Sequence, residues 1–267
     1  FKDSPFKIFF HAEGKGMKVS NKTSVSEMVP RVDFDLRLND SNVFADVFGH
    51  LDTDEWLAVL IRSIEERIID GIEFPSFPPA QLQTLIHGSY GVNAIREAAK
   101  FYRFVHNLGL TGPKAPWYKT GYMLDFGTGW GRITRLFLRD FPLRHIVGYE
   151  PSNLFCSIAR ACNPFVSFLS GEYFPDGLLP QERFDLVVSW SVFSHLSQKA
   201  AEAWISELER VTRPGAAIVL TTWGKRFLIR LQEEAKLLAA GQKIGWYSEM
   251  CIKRAGDLLK LIESYDR

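Results

Sequence analysis

The stretch Met123-Leu-Asp-Phe-Gly-Thr-Gly-Trp-Gly-Arg132 decides how this chain is read. It opens on a short apolar run, Tyr122 to Phe126, of the kind a strand buried on both faces requires. It then spells G-x-G-x-G at Gly127, Gly129 and Gly131. Glycines at a strand-to-helix join let the backbone turn tightly and approach a ligand that side chains would exclude. A helix beginning near Gly131 would aim free N–H groups and the positive end of its dipole at that ligand. The dinucleotide fingerprint wants its third glycine at position 132, which is Arg132 here.

Working outward, apolar runs alternate with helical patterns. Further strands are expected at His145–Tyr149, 165–169, 184–189 and 216–222, with helices through Leu136, Leu154–Ala161 and Trp204. Such alternation predicts an α/β fold, a Rossmann-like and mostly parallel sheet with helices on both faces. Ligands bind such sheets beyond the carboxyl ends of the strands. Glu150 ends the second strand about 20 residues past the turn, where a carboxylate can accept both hydroxyls of a ribose.

The flanks divide the chain further. Residues 1–78 form a mainly helical N-terminal extension of unassigned function. Short strands are expected at Lys7-Ile-Phe-Phe10 and Val32-Asp-Phe-Asp-Leu-Arg-Leu38, and a helix runs from Asp52 to Gly71. The segment 74–79, with three prolines, reads as a linker. Residues 79–118 form a helical cap segment, 119–224 the Rossmann-like core, and 225–267 a helical C-terminal segment without strand signals. Either the last strands are missing from this sequence or the sheet is shortened, and a shortened sheet leaves an edge needing cover.

Bulk properties exclude several classes. A formal net charge of +1 gives no broad electrostatic surface for nucleic acid. No apolar run approaches the roughly 18 residues needed to span a bilayer. Cys156, Cys162 and Cys251 lack metal-ligand spacing, so neither a zinc site nor a disulfide scaffold is expected, and a cytoplasmic, reducing setting follows. The sequence opens at Phe1 rather than Met, as a processed or partial chain does, so targeting is not readable.

Four blocks in order carry a family resemblance: Leu124 to Arg132, Val147-Gly-Tyr-Glu-Pro-Ser152, Phe184 to Leu196, and Arg210-Val-Thr-Arg-Pro-Gly215. Together, over residues 119–224, they resemble class I S-adenosylmethionine-dependent methyltransferases. The resemblance implies S-adenosylmethionine as cofactor. It implies that Asp125, Gly127, Thr128, Gly129 and Trp130 hold its methionine part and Glu150 with Pro151 its ribose. Gly171 and Glu172 would meet the adenine amino group, although the family has Asp where Glu172 stands. Ser189, Trp190 and Ser191 would line the reactive end. Pro214-Gly215 would be a turn before the fifth strand. The segment His87-Gly-Ser-Tyr-Gly91 falls where such enzymes often close over the cofactor.

Methyl transfer is an in-line displacement at a carbon activated by the cofactor, so the protein mainly aligns the reactants and excludes water. A base is needed only when the acceptor must lose a proton. His195, just past the fourth strand, is the leading candidate; His87 and Glu172 stand behind it, and His106 and His145 read as structural. Aromatics at 90, 130, 190 and 193 could wall the site or pack the core. The spelling of the blocks resembles bacterial enzymes encoded with glycan-assembly enzymes, which points to a small acceptor such as a sugar or glycan precursor. Two alternatives stay open: a catalytically silent cofactor-binding scaffold, and a nicotinamide-dependent dehydrogenase.

Overall fold

The structure, a computed structural model, describes residues 42–255 and, beyond them, positions 258, 259 and 262. The strands expected at 7–10 and 32–38 lie outside the described residues.

Five parallel strands form the centre, in the order β5-β4-β3-β6-β7. They are β3 (Met123–Phe126), β4 (Ile146–Glu150), β5 (Ser167–Ser170), β6 (Phe184–Ser189) and β7 (Thr212–Leu220). Every residue of β3 is buried, as its apolar run requires. Successive side chains leave opposite faces. Met123, Leu186, Val188 and Val219 enter one core, and Leu124, Phe126 and Val187 the other.

The second face is covered by α6 (Gln198–Val211). Ser197 caps it by accepting from Ala200 N, and Ala200, Trp204, Leu208 and Val211 point inward at helical spacing. On the sheet's other side stand α5 (Asn153–Cys162), capped by Ser152, and the N-terminal helices.

Those helices are α1 (Val43–Phe48), α2 (Thr53–Arg62), α3 (Ala80–His87) and α4 (Gly91–Asn107). Asp52 and Glu55 form a reciprocal capping box at the start of α2. Its buried Trp56 packs against Phe44, Phe48 and Phe74, and its indole donates to Leu136 O at 2.8 Å. These residues share one continuous core with Met123 and Leu186 of the sheet.

Several expectations near this core need correction. The helix from Asp52 stops at Arg62, not Gly71. Ile68–Ile69 (β1) and Ile72–Glu73 (β2) pair instead as a hairpin. Asp70 and Gly71 between them both have positive φ, 50° and 79°, the geometry of a two-residue hairpin turn. The segment 74–79 is no free linker: Phe74 is fully buried and Phe77 lies over the Arg135 guanidinium. After Gly131 the chain forms a 3-10 turn, Thr134–Phe137, rather than a regular α-helix. Residues 131–143 are buried without interruption, because the N-terminal helices cover the side that a surface helix would expose. Pro214 and Gly215 lie inside β7, where the register with β6 shifts between Phe184 and Leu186; they form a bulge, not a turn before the strand.

Two charged residues in this covered segment hold the layers together. Arg139 donates to Leu51 O at 2.8 Å and to Phe48 O at 3.4 Å, serving carbonyls at the end of α1. Asp140 accepts from Tyr102 Oη of α4 at 2.8 Å and from Gly112 N at 2.7 Å. Burial outweighs those hydrogen bonds and the nearby Arg139, raising the Asp140 carboxyl to about 6.

Among the described residues β7 has β6 as its only strand neighbour. Two helices follow it, α7 (Lys225–Ala239) and α8 (Trp246–Ala255), as the helical signals there predict. They share a small core of their own around Leu231, Cys251 and Leu258.

Two stability outcomes follow from this packing. Trp56→Ala is expected to cost about 3–5 kcal/mol, read by urea denaturation as a shift of the main transition. Separate loss of the N-terminal helices, with the sheet's transition unmoved, would show that the core is not continuous. Asp140 has a folded value near 6 against about 3.9 unfolded. Its stabilising contribution is therefore full below pH 4 and lost as pH rises through 6. The stability of the natural chain minus that of Asp140→Asn should shrink between pH 4 and pH 7; a gap independent of pH would refute the assignment.

Candidate functional site at the carboxyl edge of the sheet

Register brings the expected residues to one edge. Asp125 is level with Gly148 on one side and Val188 on the other, so β3, β4 and β6 end together. Glu150 is level with Ser170, which adds the end of β5. The glycine turn, Glu150 with Pro151, Gly171 with Glu172, and Ser189 with Trp190 therefore converge, as the alternating strand pattern implies.

The turn is shaped from inside. Gly127, Gly129 and Gly131 all have positive φ, 74°, 58° and 84°. A side chain at 127 would place Cβ 2.2 Å from Val192 Cγ2, and one at 131 would place it 2.6 Å from Asn163 Nδ2. At 129 the nearest atom to such a carbon would be Ile86 Cγ2, at 3.7 Å, an ordinary van der Waals distance, so that glycine is the least crowded of the three. Thr128 N donates to Tyr149 O at 3.1 Å, binding the turn to β4.

Asp125 is buried at the base of this turn. Its carboxylate accepts from Thr128 Oγ1 at 2.8 Å and Thr134 Oγ1 at 2.5 Å, and so holds both ends of the loop. Burial raises its pKa, and those hydroxyls and Arg132 oppose the rise. Glu150 is 7% exposed. Its Oε2 accepts from Gly129 N at 2.9 Å and its Oε1 from Ser152 N at 3.0 Å. Burial raises this pKa too, against the two amides. A carboxylate thus stands at the strand end directly beside Gly129, the least crowded of the three glycines.

Gly171 has a packing reason of its own: a Cβ there would lie 2.2 Å from Tyr149 Oη. The Tyr149 hydroxyl donates to Glu172 O at 2.9 Å, while the Glu172 side chain is exposed. Ser189 is wholly buried, and its hydroxyl has no hydrogen-bond partner among the described residues. Trp190 is half-buried and edge-on to Phe101, centroids 4.9 Å apart. Ser191 is forced to φ 61° and its N–H donates to Thr221 Oγ1 at 2.7 Å. A strained non-glycine residue at this edge, fixed by the end of β7, is a feature that spacing alone does not reveal.

The four histidines weighed as candidates differ in setting. His195 is half-buried, its N–H donating to Val192 O at 2.8 Å, and burial lowers the pKa of its ring. Val192 itself lies against Gly127, which brings the His195 segment next to the turn. His87 ends α3, and its Nε2 accepts the Trp130 indole N–H at 2.8 Å. Burial and the Arg132 charge hold its pKa down to about 3. An imidazole already filled by a donor and that weakly basic cannot serve as the base. His106 meets Thr111 Oγ1 at 3.0 Å, and His145 stacks on Tyr122 at 3.7 Å on the opposite edge.

Sequence reading also missed the support behind the turn. Arg135 is fully buried between the rings of Phe77 and Trp130, at 4.0 and 4.4 Å. It donates to Ser76 O and Asn163 Oδ1, and burial lowers its pKa to about 9. Asn163 in turn donates to Trp130 O at 2.9 Å. Among the described residues no His, Cys, Asp and Glu cluster could hold a metal ion. No helix there is long and apolar enough to cross a membrane.

Comparison with known proteins agrees with this geometry. Residues 123–215 match the profile of a family described as a methyltransferase domain. An uncharacterized methyltransferase of Anoxybacillus flavithermus is 31% identical over 123 residues, 45% of this chain and 55% of its own. Another, from Oceanobacillus iheyensis, is 30% identical over 99 residues, 36% and 44% of the two chains. The chain thus spans about half the length of the curated relatives it matches. Among solved structures, an S-adenosylmethionine-bound amino pentose methyltransferase of Micromonospora echinaspora is 24% identical with a TM-score of 0.38, covering 48% of this chain and 50% of that one. The glycine turn, the acidic strand end and the strands from Met123 to Gly215 all fall within the span that matches a methyltransferase-domain family.

Proposed function

We propose that this chain transfers a methyl group from S-adenosylmethionine to a hydroxyl or amine of a small acceptor, a sugar or glycan precursor being the leading class. The observation that carries the reading is Glu150, a nearly buried carboxylate at the end of β4, hydrogen-bonded to the N–H of Gly129. On this reading Glu150 would accept the ribose hydroxyls, and the pairing with Gly129, the least crowded glycine of the turn, supports it.

The residues present fit the cofactor. Glu150, with Pro151 behind it, would take the ribose; Gly127, Thr128, Gly129 and Trp130 would form the cradle for the methionine part. Asp125 would act through the turn that it closes. Gly171 and Glu172 would border the adenine, and the unpartnered Ser189 hydroxyl with Trp190 would line the reactive end. Bound there, the cofactor supplies the activated methyl carbon. The protein's work is alignment and exclusion of water.

His195 is the group we assign to the acceptor's proton. Burial lowers its pKa, so the ring is neutral near pH 7 and free to receive a proton from an attacking hydroxyl or amine. Activity that needs this neutral form is kept at neutral pH and lost as pH falls through the lowered value. Cys156 and Cys162, both buried thiols outside any disulfide, accord with a cytoplasmic setting.

Calorimetric titration with S-adenosylmethionine, S-adenosylhomocysteine and NAD tests the cofactor site. Both adenosyl ligands should bind and NAD should not; Glu150→Ala should weaken binding at least tenfold, about 1.4 kcal/mol. NAD binding alone would revive the dehydrogenase. Against a panel of sugar and amine acceptors, His195→Ala should lower kcat by about 10²-fold or more while leaving the S-adenosylhomocysteine Kd within threefold. Cofactor binding without turnover on any acceptor would favour a silent scaffold instead.

A further inference from the structure

Trp130 and Arg132 both leave the glycine turn and are both tied to the same N-terminal segment. The Trp130 indole donates to His87 Nε2 at 2.8 Å, at the last residue of α3. On the other ring nitrogen, Nδ1 lies 3.5 Å from Ser89 Oγ. The Ser89 hydroxyl donates to Glu97 Oε2 at 2.7 Å, on α4. Glu97 in turn faces Arg132 Nη1 at 3.5 Å, which returns the path to the turn. The directions are consistent only for one neutral tautomer: Nε2 must accept, so Nδ1 carries the proton and points it at Ser89. The low basicity of the ring keeps that form in place at all physiological pH values.

The segment that carries His87 is set for this contact. Gly88 caps α3 in the left-handed region, at φ 78°, with its N–H on Thr84 O at 2.8 Å. Gly91 starts α4 at φ 56°, its N–H donating to Gln83 Oε1 at 3.0 Å. Between these two glycine-dependent turns the chain reverses over the glycine turn, and Ile86 is the nearest side chain to Gly129. On the far side Trp130 rests on the Arg135 guanidinium, so its ring is held from behind as well.

We propose that His87 is a positioning residue for the cofactor: it fixes the Trp130 indole by accepting its N–H, and so sets the glycine turn at the spacing the ligand needs. It touches Trp130 and not the reacting atoms. This inference rests on the cofactor reading above. It requires an acceptor at position 87, not a histidine as such. Arg132, which stands where the dinucleotide fingerprint has a glycine, belongs to the same circuit through Glu97.

The test is titration of the full chain with S-adenosylhomocysteine, using His87→Ala, His87→Gln, Trp130→Phe and the double variant His87→Ala/Trp130→Phe. Alanine favours a helix more than histidine does, so the first change does not harm α3 by propensity. Glutamine can offer its amide oxygen close to where Nε2 stands. His87→Ala and Trp130→Phe should each weaken binding about tenfold, and the double variant should be no weaker than either single change by more than threefold. His87→Gln should bind within threefold of the natural chain. Thermal melts of each variant separate this pattern from general loss of structure, since a purely structural role would make affinity follow the melting temperature. Natural-chain binding that survives His87→Ala, a glutamine variant as weak as alanine, or fully additive losses in the double variant would overturn the positioning role alone. A folded natural chain that binds no adenosyl ligand would overturn the cofactor reading, and this one with it.

Discussion

A carbon at Cβ of residue 127 would lie 2.2 Å from Val192 Cγ2. The end of β3 and the segment after β6 can meet at that distance only where no side chain stands between them. The site depends on this approach, because it packs the segment leading to His195 against the turn that Glu150 holds through Gly129. Two further tight contacts, Gly131 on Asn163 and Gly171 on Tyr149, repeat the constraint around the same edge. Glycine here acts less as a flexible hinge than as a space that its neighbours fill. Gly129 is the least crowded of them, with only Ile86 at van der Waals distance, and on the proposed function it lies where the ligand would pass.

The turn is not held by its own backbone alone. Polar groups buried beneath it fix both its ends, through Asp125 to the two threonines and through Asn163 to the Trp130 carbonyl. Burial of such groups is costly unless they are hydrogen-bonded, and it repays that cost only in a fixed geometry. Arg135 is the extreme case, since two of its nitrogens, Nε and Nη1, have no hydrogen-bond partner among the described residues. Its cation is held instead by the faces of Phe77 and Trp130. A buried guanidinium fastened by aromatic faces resists sideways movement of the turn and ties it to the segment before α3.

The sheet was legible in the sequence because strands buried on both faces must be apolar throughout. β3 and β6 lie close to their expected bounds for that reason. The glycine turn and Glu150 were legible because few residue types satisfy a positive φ or end a buried strand with a carboxylate. The hairpin at 68–73 was not, since Ile68 and Ile69 continue the spacing of α2 and only Asp70-Gly71 marks the reversal. The 3-10 turn after Gly131 was misread as a helix because periodicity does not report that both sides of a segment are covered. The circuit from Trp130 through His87 to Glu97 was out of reach for another reason: its partners are 43 and 8 residues apart, and nothing local couples them.

This difference separates the two halves of the site. Residues that would face the cofactor follow from short-range rules, a turn and the strand ends beside it, so a sequence displays them in order. The side we propose for the acceptor is assembled from places that share no pattern. Ser191 is strained against Thr221, Trp190 meets Phe101 of α4, and the helices after β7 carry a separate core. The first two contacts join the domain to flanks that the methyltransferase match does not include, and the separate core lies wholly in such a flank. On the proposed function, acceptor choice would reside in the flanks and their seams with the sheet, where a change of loop or helix would leave the turn undisturbed.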